Sequence, residues 1–252
     1  MQAIILAAGV GKRLMPLTNE LPKCLIKIGG KTLLARYLEI LERLDIKDVT
    51  FVLGHLKNMI LEEIKTLSES KGFRFHYLIN EDYKRGSITS LWIARAVLGE
   101  DALILDADVL FHPALFERLV RSSKSSCFLM DEDFSDSGEE MKLFVQGDRV
   151  IAISKNNTVK SQYVGEGVGF LKLSAEHGLV LKRALEDLIK EGRLDAEYEE
   201  AIDRCLGRCE MGYERVGGLP WIEIDFAEDV ERAEREVLPK LGEPENCDAQ
   251  QL

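Results

Sequence analysis

The 252-residue sequence predicts an α/β fold of three layers, with helices flanking a mixed, mostly parallel central sheet. Three observations predict it. Compact apolar runs at Ile4–Leu6, Val49–Leu53 and Leu103–Leu105 have the length of buried strands. Leu33, Leu34, Tyr37, Leu38, Leu41 and Leu44 recur at helical spacing between the first two runs, which places a helix over residues 31–45. Phe73, Phe75, Tyr77 and Ile79 then alternate as a strand does, after an amphipathic stretch near Asn58–Leu67. Strands and helices taking turns in this way make right-handed βαβ units.

Composition narrows the class. An apolar content of 46% suits one large core. No apolar run reaches the roughly 18 residues of a membrane span, and MQAIILAAG lacks the charged lead of a signal peptide, so a cytoplasmic location is expected. Five scattered cysteines predict reduced thiols. Cys205 and Cys209 fall on one helix face with no further ligands nearby, and are read as helix residues, not a zinc site. The four histidines are isolated in sequence. A net charge of −11 argues against general binding to nucleic acid or anionic membranes.

The loop after the first strand departs from that balance. Residues 1–31 hold five basic residues and one acidic, against 28 and 43 in the remainder. A cationic loop on an acidic protein points to one small anion held at one place. Ala7, Ala8, Gly9 and Gly11 are small enough for a ligand to lie against backbone N–H groups. Neither common phosphate loop matches. Leu14 stands where the dinucleotide fingerprint needs its third glycine, and the Walker pattern fails at Leu6 and Arg13. An ordinary strand-to-helix turn is the competing reading.

The longer pattern LAAGVGKRLMPLT, followed by Pro22 and Lys23, resembles the signature of the nucleotidyltransferases that activate sugar phosphates and of the related cytidylyltransferases. The resemblance implies a Rossmann-like nucleotidyltransferase fold. It also implies a loop from Leu6 through Ala7, Ala8, Gly9 and Gly11 around a nucleoside triphosphate, with Arg13 on its phosphates and Lys23 on the reacting ones. One domain is expected over residues 1–241, with 1–112 as the nucleotide-binding half and 113–241 as the acceptor-binding half.

The later elements follow in order. In EDYKRGSITSLW, Ser87 is positioned to cap a helix, and the resemblance makes Gly86, Ser87 and Ser90 base-pocket candidates. SITSLW is closer to the phosphocholine cytidylyltransferase branch than to the sugar-nucleotide members. Asp106 and Asp108 end an apolar strand, where ligands bind in parallel sheets, and their repulsion needs a cation or basic groups opposite. The resemblance gives Asp108 to Mg²⁺ and leaves Asp106 as a lesser metal or nucleotide candidate. Residues 131–140 read as an acidic, flexible surface loop without chemistry. A hairpin over Leu143–Ile153 precedes Lys155, to which the resemblance assigns the acceptor's phosphate.

A glycine-rich strand over Tyr163–Leu173 carries Glu166, an acceptor-binding candidate, and helices are expected over Ala175–Glu191 and Ala196–Leu206. Tyr198 and Glu199 on the second, with Trp92 and Trp221, are candidates to receive a cationic amine such as choline. Each is equally readable as core or surface. A last strand, Trp221–Ile224, ends in Asp225, which by the resemblance completes the Mg²⁺ site, before a closing amphipathic helix. Residues 242–252 read as a polar, disordered tail.

Together these imply Mg²⁺-dependent transfer of a nucleotidyl group, from CTP first, to phosphocholine or a related phospho- or phosphono-amine. The partners are then a nucleoside triphosphate and a small phosphorylated acceptor, with no nucleic acid and no membrane insertion, and a homo-oligomer is left open. Sugar-1-phosphate or inositol-1-phosphate transfer is the alternative within the same chemistry. A nucleotide-binding regulatory protein without turnover is the alternative outside it.

Overall fold

The computed structural model describes residues 1–68, 72–156 and 159–242. The expected tail therefore lies outside the described residues from position 243 onward. Strand β1 (Gln2–Ala7) is followed by a small hairpin, β2 (Lys27–Ile28) and β3 (Lys31–Thr32), and by helix α1 (Leu33–Arg43). Next come β4 (Asp48–Leu53), α2 (Lys57–Ser68), β5 (Arg74–Ile79), α3 (Ile88–Ala94), β6 (Ala102–Asp106), β7 (Val109–Phe111) and α4 (Pro113–Arg121). The second half holds β8 (Cys127–Asp131), β9 (Lys142–Gln146), β10 (Arg149–Ser154), β11 (Tyr163–Leu173), α5 (Ala175–Lys190) and α6 (Tyr198–Leu206). Strands β12 (Gly212–Arg215) and β13 (Trp221–Glu223) and helix α7 (Ala227–Arg232) complete it.

One mixed sheet unites both halves among the described residues. Strands β6, β1, β4 and β5 pair in parallel, as the βαβ pattern requires. Antiparallel β11 then joins β6 to the second half, pairing through its ends with β9 and β6 and along its other edge with β8. Two apolar layers cover the faces. Tyr37, Leu38 and Leu41 of α1 pack with Ile5 and Phe51 on one side, while Ile4 and Val52 face α3 and α5 on the other. Each such aliphatic side chain contributes about 1.5–3 kcal/mol when fully buried. Thr32 caps α1, its hydroxyl oxygen accepting the Ala35 N–H at 3.1 Å, which adds about 1 kcal/mol.

Some elements differ from the sequence reading. Strand β6 stops at Asp106, so Asp108 sits in the β6–β7 turn and the two do not alternate along one strand. The closing helix is regular only to Arg232 and then widens and tightens around Pro239, which has no N–H to continue it. Cys209 lies beyond the end of α6, with its thiol on the Cys205 carbonyl. The four described cysteines are free and buried. No helix among the described residues is long and apolar enough to cross a membrane.

Candidate active site

A cleft of about 580 Å³ opens at the carboxyl ends of β1 and β6, where ligands sit in sheets of this kind. Its floor and walls come from the β1 loop, the β6–β7 turn, β11, the start of α6 and the segment after β13. The β1 loop is braced from outside. His55 N–H donates to the Ala8 carbonyl at 3.0 Å, and the Thr18 hydroxyl donates to the Gly11 carbonyl at 2.8 Å. Gly11 has φ of 65°, and a Cβ there would press on Lys23 and Thr18 at 3.0 Å. Gly9 differs: nothing of the protein lies within 4 Å of where its Cβ would be.

Opposite the loop, Asp108, Glu223 and Asp225 bring carboxylate oxygens within 4.8 Å of one another. The antiparallel pairing of β13 with β7 causes this meeting across more than a hundred residues, with Glu223 facing Val109 and the Ile224 N–H on the Asp108 carbonyl at 2.9 Å. Asp229 fixes the exit, accepting the Asp225 and Phe226 N–H groups at 3.0 and 2.7 Å. Tyr37 fixes the other side. Its buried hydroxyl donates to the Asp106 carbonyl at 2.6 Å and accepts from the Val109 N–H at 3.3 Å.

The cations of the loop reach across to these acids. Lys23 Nζ lies 2.9 Å from Asp108 Oδ2 and also binds Asp225. Arg13 pairs with Asp225 and, at 3.2 Å, with Glu139, and its guanidinium stands 5.1 Å from the Phe226 ring centre. Burial works to lower the Lys23 pKa, but Asp108 and Asp225 outweigh it and hold the ammonium above its usual range. Burial first, then Asp108 and Asp225, push the Glu223 carboxyl up to about 8.

Two of the base-side candidates, Gly86 and Ser87, are tied to the start of α6 and the segment leading into it. Gly86 N–H donates to the Leu194 carbonyl at 3.0 Å, and a Cβ on Gly86 would collide with the Ala196 carbonyl. Ser87 does not cap α3. Its hydroxyl oxygen instead accepts the Tyr198 N–H at 2.9 Å, because the start of α6 packs directly against this turn. Ser90 lines the cleft and accepts from the buried Asn80 amide at 3.0 Å.

On the far side, Lys155 pairs with Glu197 at 2.8 Å, and Tyr198 donates its hydroxyl to Asp106 Oδ2 at 2.8 Å. Burial raises the Glu199 carboxyl to about 7 and lifts Asp106 well above the usual carboxylate range. Burial, with Glu140 and Asp131 nearby, raises Glu166 to about 7. Leu6, Ala7, Ala8, Gly9, Gly11, Arg13, Lys23, Gly86, Ser87, Ser90, Asp106, Asp108, Lys155, Glu166, Tyr198, Glu199 and Asp225 all line this one cleft. Trp221 does not. Its indole N–H donates to Asp131 Oδ2 at 2.7 Å, and Trp92 lies beneath the Arg95 guanidinium, likewise outside the cleft.

Glu223 and Glu139 are among the cleft residues that escaped the sequence reading. Glu223 stands two residues before Asp225, a spacing that already offered a second carboxylate. Glu139 belongs to the acidic loop read as having no chemistry. That loop is held by Lys142, which is 2% exposed and donates to Asp136 at 2.7 Å.

The fold and site define an α/β protein with a charged cleft at its strand ends, and comparison with known proteins makes the class definite. Residues 2–129 match the nucleotidyl transferase family model, and the chain belongs to that family. The CMP-5'-(3-aminopropyl)phosphonate synthase of Streptomyces rubellomurinus is 34% identical over 126 residues, which is 50% of this chain and 20% of that protein. The choline-phosphate cytidylyltransferase of Streptococcus pneumoniae is 27% identical over 93% of this chain and 97% of its own length. A solved structure of the CTP:phosphocholine cytidylyltransferase from Streptococcus pneumoniae superposes with a TM-score of 0.73 at 24% identity, covering 92% of this chain and 97% of that one. The chain spans a fifth of the first relative and about half of several bifunctional ones.

Proposed function

We propose that this protein transfers the cytidylyl group of CTP to an oxygen of a small phosphorylated or phosphonylated amine, the class that includes phosphocholine, and releases pyrophosphate. The observation that carries the reading is Lys23 bridging Asp108 and Asp225 beside a glycine loop open to a ligand. Two relatives support the donor and acceptor class, since their names join a cytidylyl group, a phosphorus acid and a nitrogen-bearing chain.

Asp108, Glu223 and Asp225 offer only oxygen ligands, the donor set that suits Mg²⁺. They would hold the ion, which when bound supplies charge to phosphate oxygens. The remaining chemistry belongs to the chain. An acceptor phosphate is already anionic at neutral pH, so no protein nucleophile is required. Its oxygen bonds to the α-phosphorus as the bond from that phosphorus to the bridging oxygen breaks, and pyrophosphate departs with the bond's electrons. Lys23 and Arg13 offset the charge of the two anions brought together, while backbone N–H groups at Gly9 and Gly11 face the triphosphate. Residues 1–112 hold the nucleotide, with Ser90 toward the base. Residues 113–241 hold the acceptor, with Lys155 toward its phosphate and Glu166, Tyr198 and Glu199 around its nitrogen.

The test is pyrophosphate release across the four ribonucleoside triphosphates and dTTP, each with phosphocholine, aminoethylphosphonate, inositol-1-phosphate or glucose-1-phosphate. CTP with a nitrogen-bearing acceptor is the expected pair. Reaction of the sugar or inositol phosphate alone would refute the acceptor class. Nucleotide binding without pyrophosphate from any pair would refute transfer itself.

A further inference from the structure

We propose that Glu139 holds the place of a substrate phosphate on Arg13 and is displaced when that phosphate binds; this rests on the transfer reaction proposed above. The two terminal nitrogens of Arg13 have different partners. One binds Asp225, while the other, Nη1, lies 3.2 Å from Glu139 Oε2 across 126 positions of sequence. Asp225 belongs to the carboxylate cluster, so Nη1 is the nitrogen left for a phosphate oxygen, and Glu139 sits on it. Arg13 does not depend on that contact for its place, since Asp225 holds the second nitrogen and the Phe226 ring centre stands 5.1 Å from the guanidinium carbon.

Glu139 also acts on the cation assigned to the acceptor. Burial works to lower the Lys155 pKa, but Glu197 first and Glu139 next hold the ammonium above its usual range, with Arg13 opposing them. One carboxylate on the cleft wall thus bears on the cations of both substrates.

The turn that carries Glu139 is fixed on either side of it. The Glu140 carboxylate accepts the Ser137 N–H at 2.9 Å, the Ser137 hydroxyl at 2.6 Å and the Gly138 N–H at 3.0 Å. Buried Lys142 holds Asp136, and the Met141 carbonyl accepts the Gly167 N–H of β11 at 2.9 Å. The Glu139 side chain, by contrast, is 65% exposed and can turn into water. An exposed carboxylate loses little on leaving its partner, whereas a phosphate brings more charge and pairs with a guanidinium through two oxygens. The phosphate therefore wins the site, against a competition that Glu139 sets.

The experiment titrates the full chain with CTP and Mg²⁺ by calorimetry and measures KM for phosphocholine and phosphoethanolamine by pyrophosphate release, in the wild type and in Glu139→Gln. Kd for CTP, KM for the acceptor or both should fall about two- to fivefold, the scale of an exposed ion pair, with Tm nearly unchanged. A lower Kd for CTP assigns the displaced carboxylate to the triphosphate, and a lower KM alone assigns it to the acceptor. If neither falls, the inference is overturned. In the Arg13→Gln background the same substitution should gain nothing, and a gain of equal size there would be the effect of a distant charge and would overturn the inference as well. A wild-type chain that binds CTP but releases no pyrophosphate with any acceptor refutes the transfer reading, and the CTP titration alone then decides whether Glu139 competes for Arg13.

Discussion

Lys23 is the residue on which both sides of the cleft converge, since it is the group that makes Asp108 and Asp225 tolerable to each other. Lys23→Ala should lower turnover roughly a hundredfold or more, the scale of losing a charge-stabilising donor. The same variant leaves three acids without their ammonium, so Mg²⁺ should raise its Tm by more than it raises that of the wild type. Near-normal turnover would remove Lys23 from the chemistry. Glu166 offers a separate test through pH. Its carboxyl is raised from 4.5 to about 7, chiefly by burial. The folded chain thus keeps a proton that the unfolded chain has released between those values, and this group's contribution to stability falls as pH rises through that window. Glu166→Gln, neutral throughout, should exceed the wild type in Tm at pH 8 and gain less at pH 4. Equal gains at both pH values would show that Glu166 is not buried as described.

At the scale of elements, the glycines separate ligand space from protein packing. Gly9→Ala adds a methyl group into space that no protein atom occupies, so it should leave Tm nearly unchanged while raising KM for CTP. Gly86→Ala drives a Cβ into the Ala196 carbonyl and should cost about 1–3 kcal/mol in a urea titration, whether or not CTP is present. The reverse pattern would exchange their roles. The same contrast explains what was legible beforehand. Strands β1, β4 and β6 are short apolar runs with breakers beside them, and the amphipathic pattern of α1 stands in the letters. Ser87 reads as a cap from its neighbours, yet α6, more than a hundred residues later, takes its hydroxyl. Trp221 reads as a ring available for a ligand, but pairing of β13 with β7 turns its indole to Asp131. Glu223 joins the acids through that same pairing. Long-range pairing therefore decided the details that local periodicity does not encode.

In the whole molecule, β11 makes the sheet continuous from the parallel strands that carry the β1 loop to the strands behind Lys155 and Glu166. Both halves consequently face one cleft, although acidic and basic residues are distributed unevenly between them. A net charge of −11 gives the protein no overall long-range attraction for anions, and salt should accordingly affect the reaction chiefly through the cleft's own ion pairs. The most direct measurement follows the label from CTP carrying ³²P at either the α or the γ position, with Mg²⁺ and phosphoethanolamine. The α label should appear in a cytidine-linked amine product and the γ label in pyrophosphate, with both products absent in EDTA. An α label recovered only in CMP or CDP, or a γ label recovered as inorganic phosphate or on the acceptor, would contradict nucleotidyl transfer.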